Sequence, residues 1–419
     1  MALDDTTPNT DTATPSQPTP AEAEDLALAP VTHIPTSPSE EVAVAVSARL
    51  DPGIALCLSG GGYRAMLFHL GTLWRLNDAG YLRKLTRVSS VSGGSITAAI
   101  LALAWRNLRF SGGTPDVAQN FTELVVAPIC ELATKLIDIW AGLRGLIMPT
   151  WSNRYVVGRY RSLFGTHNLQ DLPALDSGPE FIITASNLQS GVLWQFSRNY
   201  AGDYRVGWID KPQIGVAEAV GASSAFPPFL SPAAFKFNRS QLRRTRLSDL
   251  NRPPFTTNVM LTDGGVYDNL GLETAWKYFK TVLVSDGGAK MQPVAKPGGN
   301  WFMQFLRIRE MADNQVRGLR KRQLIASYTA PPNDENYRSG AYWGIGTEIT
   351  GYDLPDPLPC PPDRTLLLAN VMTRLAPLDK LTQQRLINWG FAVCDAAMRT
   401  YVDTALKRPP DFPYPDAKV

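Results

Sequence analysis

Three stretches of this chain carry residues that could act together on a carbonyl or phosphoryl group. They are Leu58-Ser-Gly-Gly-Gly-Tyr-Arg-Ala65, Ser90-Val-Ser92-Gly-Gly94 and Leu261-Thr-Asp263-Gly-Gly265. Each is ambiguous alone. In this order they supply an anion-binding backbone, a hydroxyl nucleophile and a carboxylate base. The first set of glycines follows a short apolar run, Ile54 to Leu58. It precedes Met66, Leu67, Leu70, Leu73 and Trp74 at helical spacing, with Gly80 as the stop. A strand-to-helix turn of this kind aims free N–H groups, reinforced by the helix dipole, at whatever lies above it, which suits a phosphate or a developing oxyanion. A dinucleotide fingerprint needs glycine where Ala65 stands, and a phosphate-binding P-loop needs a Gly-Lys-Ser/Thr that is absent.

The second stretch repeats the geometry. Leu85 to Val91 reads as a strand and Ser95 to Trp105 as an apolar helix. A serine on the sharp turn between them is lifted clear of the sheet, with a helix N-terminus beneath the reacting oxygen. Ser89, Ser90 and Ser95 are rivals. Ser92 is preferred because only it has a glycine two places after and a small residue two before. Three histidines, His33, His69 and His167, supply a Ser-His-Asp triad poorly. His33 lies in an N-terminal tail, His69 reads as a packed residue of the first helix, and His167 sits in a loop. Asp263 is the better base: it ends the strand from Val259 to Leu261, and its glycines let the backbone bend the carboxylate toward a crevice. Asp286, in Val284-Ser-Asp-Gly-Gly288, is a near-duplicate that reads as a strand-end turn. Asp268 and Asn269 read as Asx-turn residues.

Taken together, the glycine-rich turn, the small-x-Ser92-Gly-Gly elbow and Asp263-Gly-Gly-Val-Tyr-Asp-Asn-Leu-Gly271 resemble the patatin-like phospholipase family. The wording of the first motif is also similar to the cytosolic phospholipase A2 branch. Ala222-Ser-Ser-Ala-Phe-Pro-Pro-Phe229 and the segment from Leu386 to Ala397 look like bacterial members, so the likeness runs from about Pro52 to about Tyr401. The resemblance implies a Ser–Asp dyad without histidine, with Ser92 as nucleophile and Asp263 as base and acid. It implies an oxyanion hole from the backbone N–H groups of Gly61 and Gly62. It also implies that Arg64 supports substrate phosphate or the motif's own geometry. Ser90, where the family pattern has glycine, is the one departure. The expected activity is acyl-ester hydrolysis of the phospholipase A or lysophospholipase type through an acyl-serine, without metal or other cofactor. Transacylation, hydrolysis of neutral glycerides, or a catalytically inactive lipid-binding protein on the same fold are the alternatives.

The elements that must position these residues alternate strand with helix. That pattern argues for an α/β fold with a mostly parallel central sheet flanked by helices, a three-layer architecture. Further strands are expected at Phe181 to Ala185, Leu193 to Ser197 and Val282 to Ser285, and a closing helix from Asp379 with Leu386, Trp389, Val393, Ala397 and Tyr401 on one stripe. Residues 1–47, rich in Thr, Pro, Ser and Ala, read as a disordered tail. Residues 48–408 read as one acyl hydrolase domain and 409–419 as a loose C-terminal tail.

Among 419 residues the net charge is only +3, which argues against a nucleic-acid partner, and the four cysteines, at 57, 130, 360 and 394, show no metal spacing. Free thiols and the lack of a secretory h-region lead to the expectation of a cytoplasmic protein, peripheral at a membrane, with specialised export left open. Leu124 to Met148 reads as an amphipathic helix through Leu132, Leu136, Ile139, Leu143 and Leu146, packed on the core. Two basic stretches, Lys236–Arg246 and Arg317–Arg322, are the expected docking surface for anionic lipid. Oligomeric state is not legible.

Overall fold

The computed structural model describes residues 50–137 and 149–419. Its strands are β1 (Asp51–Leu58), β2 (Leu85–Val91), β3 (Glu180–Asn187), β4 (Leu193–Phe196), β5 (Tyr200–Asp203), β6 (Gly207–Asp210), β7 (Ala233–Lys236), β8 (Asn258–Asp263), β9 (Phe279–Asp286) and β10 (Ser339–Gly344). Its α-helices are α1 (Gly62–Asp78), α2 (Gly93–Ala104), α3 (Ala127–Leu132), α4 (Pro149–Phe164), α5 (Val216–Ser223), α6 (Gly265–Asp268), α7 (Glu273–Trp276), α8 (Trp301–Thr329), α9 (Pro362–Ala369) and α10 (Lys380–Tyr401).

One sheet runs in the order β10-β9-β1-β2-β3-β4-β5-β6, with β8 paired to β3 and β7 to β8. The pairings from β10 to β3 are all parallel, as expected. Beyond β3 they are antiparallel, so the sheet is mixed rather than parallel throughout. Successive side chains of a strand point to opposite faces, and β1 shows the result. Leu56 and Leu58 enter a core built with α1, α2 and α10, whereas Ala55 and Cys57 enter one built with α7, β9 and Leu324 of α8. Helices thus cover both faces of the sheet, giving the three layers.

Helix α10 lies against α1 closely enough that a Cβ on Gly390 would collide with the Phe68 carbonyl, and one on Gly71 with the Ile387 carbonyl. Along the expected stripe Leu386, Trp389, Val393 and Ala397 are fully buried, but Tyr401 is exposed, because the helix has by then run past the sheet. Residues 409–419 are not loose. Phe412, Ala417 and Val419 are buried, Tyr414 stacks edge-on against Trp74, and Asn388 donates to the carbonyls of Tyr414 and Lys418. The helix expected from Leu124 appears as a π-helical turn, Thr122–Val126, followed by α3; its continuation over Ile139, Leu143 and Leu146 lies outside the described residues, as do the 1–47 tail and His33. All four cysteines are free thiols. Among the described residues no helix is long and apolar enough to cross a membrane.

Candidate active site

The residues singled out in the first three motifs converge at the C-terminal edge of the parallel strands. Ser92 directly follows β2 and caps α2 with φ 50° and ψ −117°. That left-handed backbone is costly for a side chain bearing a Cβ, and such strain persists only where packing over-determines it. Packing does so here. A Cβ on Gly93 would meet the Gly62 carbonyl, and one on Gly94 would meet the carbonyls of Leu58 and Ser59. The elbow is therefore pressed directly onto the first glycine turn, and glycine is required at both positions.

β3 explains how Asp263 reaches the elbow. Its first half pairs with β2, ending at Val91 opposite Thr184, and the same edge then pairs with β8, with Asp263 opposite Ala185. Strand β8 thus abuts β2 end to end, and Asp263 arrives beside Ser92. The Asp263 Oδ1 accepts a hydrogen bond from the Gly265 N–H at 2.8 Å. Oδ2 is buried and has no partner of full hydrogen-bond geometry, although the Ser92 hydroxyl lies close enough to lower the carboxyl's proton affinity. The hydroxyl is thus beside the base but not aligned with it, which is common before substrate tightens a catalytic hydrogen bond. Burial dominates the electrostatics and pushes the Asp263 pKa up to about 6, against the lowering effects of Gly265, Ser92 and Arg309.

The glycine turn carries Gly61 at φ 144° and Gly62 at φ 61°. The Gly60 N–H bonds the Asn269 carbonyl and the Tyr63 N–H bonds the Arg374 carbonyl. The N–H groups of Gly61 and Gly62 make no hydrogen bond among the described residues, and neither does that of Gly93 at the start of α2. Arg64 is buried. Its Nε donates to the Gly287 carbonyl at 3.0 Å and its Nη1 to the Val371 carbonyl, while Nη2 is buried without a partner. Burial, then Arg317, lowers its pKa to about 10, so the guanidinium stays charged at neutral pH.

The rival residues are occupied. Ser89 accepts from Thr274, Ser90 donates to the Ile182 carbonyl, and Ser95 donates to Ser90. His69 sits beneath the glycine turn between Ser285 and the Ser59 carbonyl; burial lowers its pKa to about 4, so it is neutral there. His167 is on the surface with Asp171. Asp286 is buried against Arg317 and Tyr342. Asp268 forms the Asx turn to Leu270 and also accepts from the Glu273 N–H.

Sequence reasoning assigned no role to Ser223, which ties the site together. Its hydroxyl accepts from the Ser92 N–H at 2.9 Å and bonds Ser95, while its carbonyl accepts from the Gly264 N–H at 3.2 Å. It lies in the Ala222–Phe229 stretch, so a signal was present but carried no function. Asn269, read from the sequence only as an Asx-turn residue, lines the cleft, its side chain wedged between Gly60 and Gly265.

Above these residues opens a cleft of about 430 Å³. Its floor is Gly60, Gly61, Arg64, Ser92 and Asp263; Phe226 to Phe229 and Val266 form an apolar wall; α8 covers it with Leu306, Arg309 and Asp313. Arg309 is held over the mouth by the Pro227 carbonyl at 2.7 Å and by the Phe226 ring, 4.6 Å from its centroid. A strained serine hydroxyl, a buried carboxylate, free N–H groups and an apolar wall are groups that could together attack the carbonyl of an ester with an apolar chain.

A family model described as patatin-like phospholipase matches residues 56–276. Among solved structures, human GIVD cytosolic phospholipase A2 aligns at 13% identity and a TM-score of 0.48, covering 89% of this chain and 62% of that one. VipD from Legionella pneumophila aligns at 14% identity and a TM-score of 0.35, covering 83% of this chain and 67% of that one. The chain thus spans less than two thirds of the human protein's length. No curated protein matches by sequence.

Proposed function

Because the chain belongs to the patatin-like phospholipase family, we propose that it is a lipid acyl hydrolase of the phospholipase A or lysophospholipase type, working through a Ser92–Asp263 dyad. The observation that carries this reading is the end-to-end meeting of β2 and β8, which sets a buried carboxylate of raised pKa beside a strained serine. Ser92 Oγ attacks the ester carbonyl as Asp263 takes its proton. The N–H groups of Gly61 and Gly62 receive the oxyanion, each such donor being worth about 3–4 kcal/mol in the transition state. Collapse of the intermediate expels the alcohol, protonated by Asp263, and leaves an acyl-serine. Water, deprotonated by the same carboxylate, then releases the fatty acid and restores Ser92. Arg64 Nη2 is the free donor for a substrate phosphate beside the glycine turn.

The membrane contact expected from basic residues is assigned differently. Arg317 and Arg320 of α8 turn inward to Asp286 and Glu273, and Arg243 pairs with Asp210. The opposite face of α8 is apolar and open: Trp301 is 78% exposed, Phe305 56%, Ile308 62% and Leu319 58%. A helix that sets polar residues toward a cleft and an aromatic stripe toward water suits a lipid surface as its second partner.

The test is fatty acid release from phosphatidylcholine and phosphatidylglycerol vesicles, with chelator present, by wild type, Ser92→Ala and Asp263→Asn. Release by wild type alone, with at least a thousandfold loss in both variants (about 4 kcal/mol), is expected. Full activity in Ser92→Ala would overturn the assignment. Transfer of the acyl group to an added alcohol in place of water would make the protein a transacylase using the same site.

A further inference from the structure

A second hollow, of about 350 Å³, lies at the C-terminal ends of β9 and β10. Its floor is electrically neutral. Arg317 bonds Asp286 Oδ2 through Nε at 3.0 Å and Nη2 at 2.8 Å, and the Tyr342 hydroxyl donates to the same oxygen at 2.7 Å. Burial alone would raise that carboxyl; Arg317 and Tyr342 hold it below the usual carboxylate range, so it remains charged and matched.

The walls are not neutral. Lys290, Lys321 and Arg322 line them, and none makes an ion pair among the described residues. Lys321 Nζ stands 4.2 Å over the Tyr342 ring, and the stem of Lys290 lies along Gly346. Asn314, Gln315 and Thr347 add polar groups. Together with Arg317 they set four cations against one carboxylate, Asp286, so an anion in their midst relieves the remaining repulsion.

The hollow is continuous with the cleft, since Lys290, Asn314 and Arg317 line both. Its separation from the nucleophile follows from the sheet. Gly344 pairs with Asp286, Ser285 with Leu58, and Leu58 with Ser90. Two strand steps of about 4.8 Å to Asp286 and three to Gly344 place it roughly 10–14 Å from Ser92. The phosphodiester of a glycerophospholipid is only a few bonds from the scissile ester, so it would fall short of this hollow. A group at the far end of the headgroup would reach it.

We propose that this hollow is an anion subsite for a phosphate carried on the outer part of a lipid headgroup, so that the enzyme prefers lipids bearing a second phosphate beyond the phosphodiester. The proposal rests on the acyl-hydrolase reading for its substrate, and its test separates the two. Isothermal titration of Ser92→Ala protein with a soluble inositol bisphosphate should show binding. Adding Lys321→Gln and Arg322→Gln should weaken it about tenfold or more. Equally tight binding of inorganic phosphate would assign the hollow to a free anion and overturn the headgroup claim. No binding of either probe would overturn the subsite, whether or not wild type hydrolyses lipid.

In turnover, kcat/KM on vesicles of phosphatidylinositol phosphate relative to phosphatidylinositol should fall about tenfold in the Lys321→Gln/Arg322→Gln variant. Lys321→Arg/Arg322→Lys should restore the ratio. Equal losses on both lipids would overturn the proposal. Failure of wild type to hydrolyse any ester would remove the acyl-hydrolase reading and leave the titration to decide the hollow.

Discussion

Burial pushes the Asp263 carboxyl up to about 6, so at neutral pH the protein holds a carboxylate where water scarcely reaches it. The consequence for stability has a definite sign. A carboxyl whose folded pKa lies above its unfolded value destabilises the fold fully above the folded pKa. That penalty shrinks as pH falls through about 6 and vanishes below the ordinary value of 3.8. Asp263→Asn keeps the oxygen that accepts from Gly265 and removes the charge. It should therefore abolish hydrolysis yet stabilise the protein at pH 7, by up to about 3 kcal/mol. Urea unfolding at pH 7 and pH 4 checks this, and equal effects at both would show that the charge is not the cause. In the proposed mechanism the ionised form is the base, so kcat/KM should rise with pH through about 6 and level off above it. The turns that carry Ser92 and Asp263 were readable in the sequence because each requires glycine beside it. Ser223 was not, because its role exists only where α5 meets the elbow and the β8 turn.

The elements do their work through two interlocked turns. The β1–α1 and β2–α2 turns touch backbone to backbone at Gly62 and Gly93, so Gly93→Ala forces them apart. It should abolish activity and cost about 2–4 kcal/mol of stability, measurable by denaturant unfolding. Ser223→Ala is milder. It removes the bond that holds the strained Ser92 N–H, so kcat should fall about tenfold at nearly constant KM, with stability lower by about 1–2 kcal/mol. A KM effect without a kcat effect would place Ser223 in substrate binding instead. Of the parallel strands, β1, β2, β3 and β9 were legible as apolar runs of strand length, whereas β10, Ser-Gly-Ala-Tyr-Trp-Gly, carries no such run. In the antiparallel half β4 and β8 were legible as strands too, but their pairing was not, because one edge of β3 serves β2 and then β8, and pairing partners leave no mark in local periodicity. Helix α8 sets Trp301, Phe305, Ile308 and Leu319 at helical spacing, and that face is exposed.

For the whole molecule, the family match ends at residue 276, but β9 lies between β1 and β10, and α10 packs on α1, so the later segment completes the same sheet and core. That segment also supplies α8. With a net charge of only +3, long-range attraction to anionic membranes is weak, and the proposed contact with lipid would rest on apolar burial at this helix. Trp301→Ser/Phe305→Ser/Ile308→Ser should lower vesicle binding in co-sedimentation at least about tenfold, while turnover of a soluble short-chain ester persists. Undiminished vesicle binding would move the contact elsewhere.

The shared edge of β3 has an architectural consequence. Both members of the proposed dyad are registered on a single strand, since Val91, next before Ser92, pairs with Thr184 and Asp263 pairs with Ala185. The distance between Ser92 and Asp263 is therefore independent of how much chain separates them. The stretches joining β2 to β3 and β3 to β8 are free to lengthen, shorten or exchange whole coverings while the reacting atoms stay in place. This arrangement permits the surroundings of the cleft, and with them the choice of lipid, to diversify without rebuilding the chemistry.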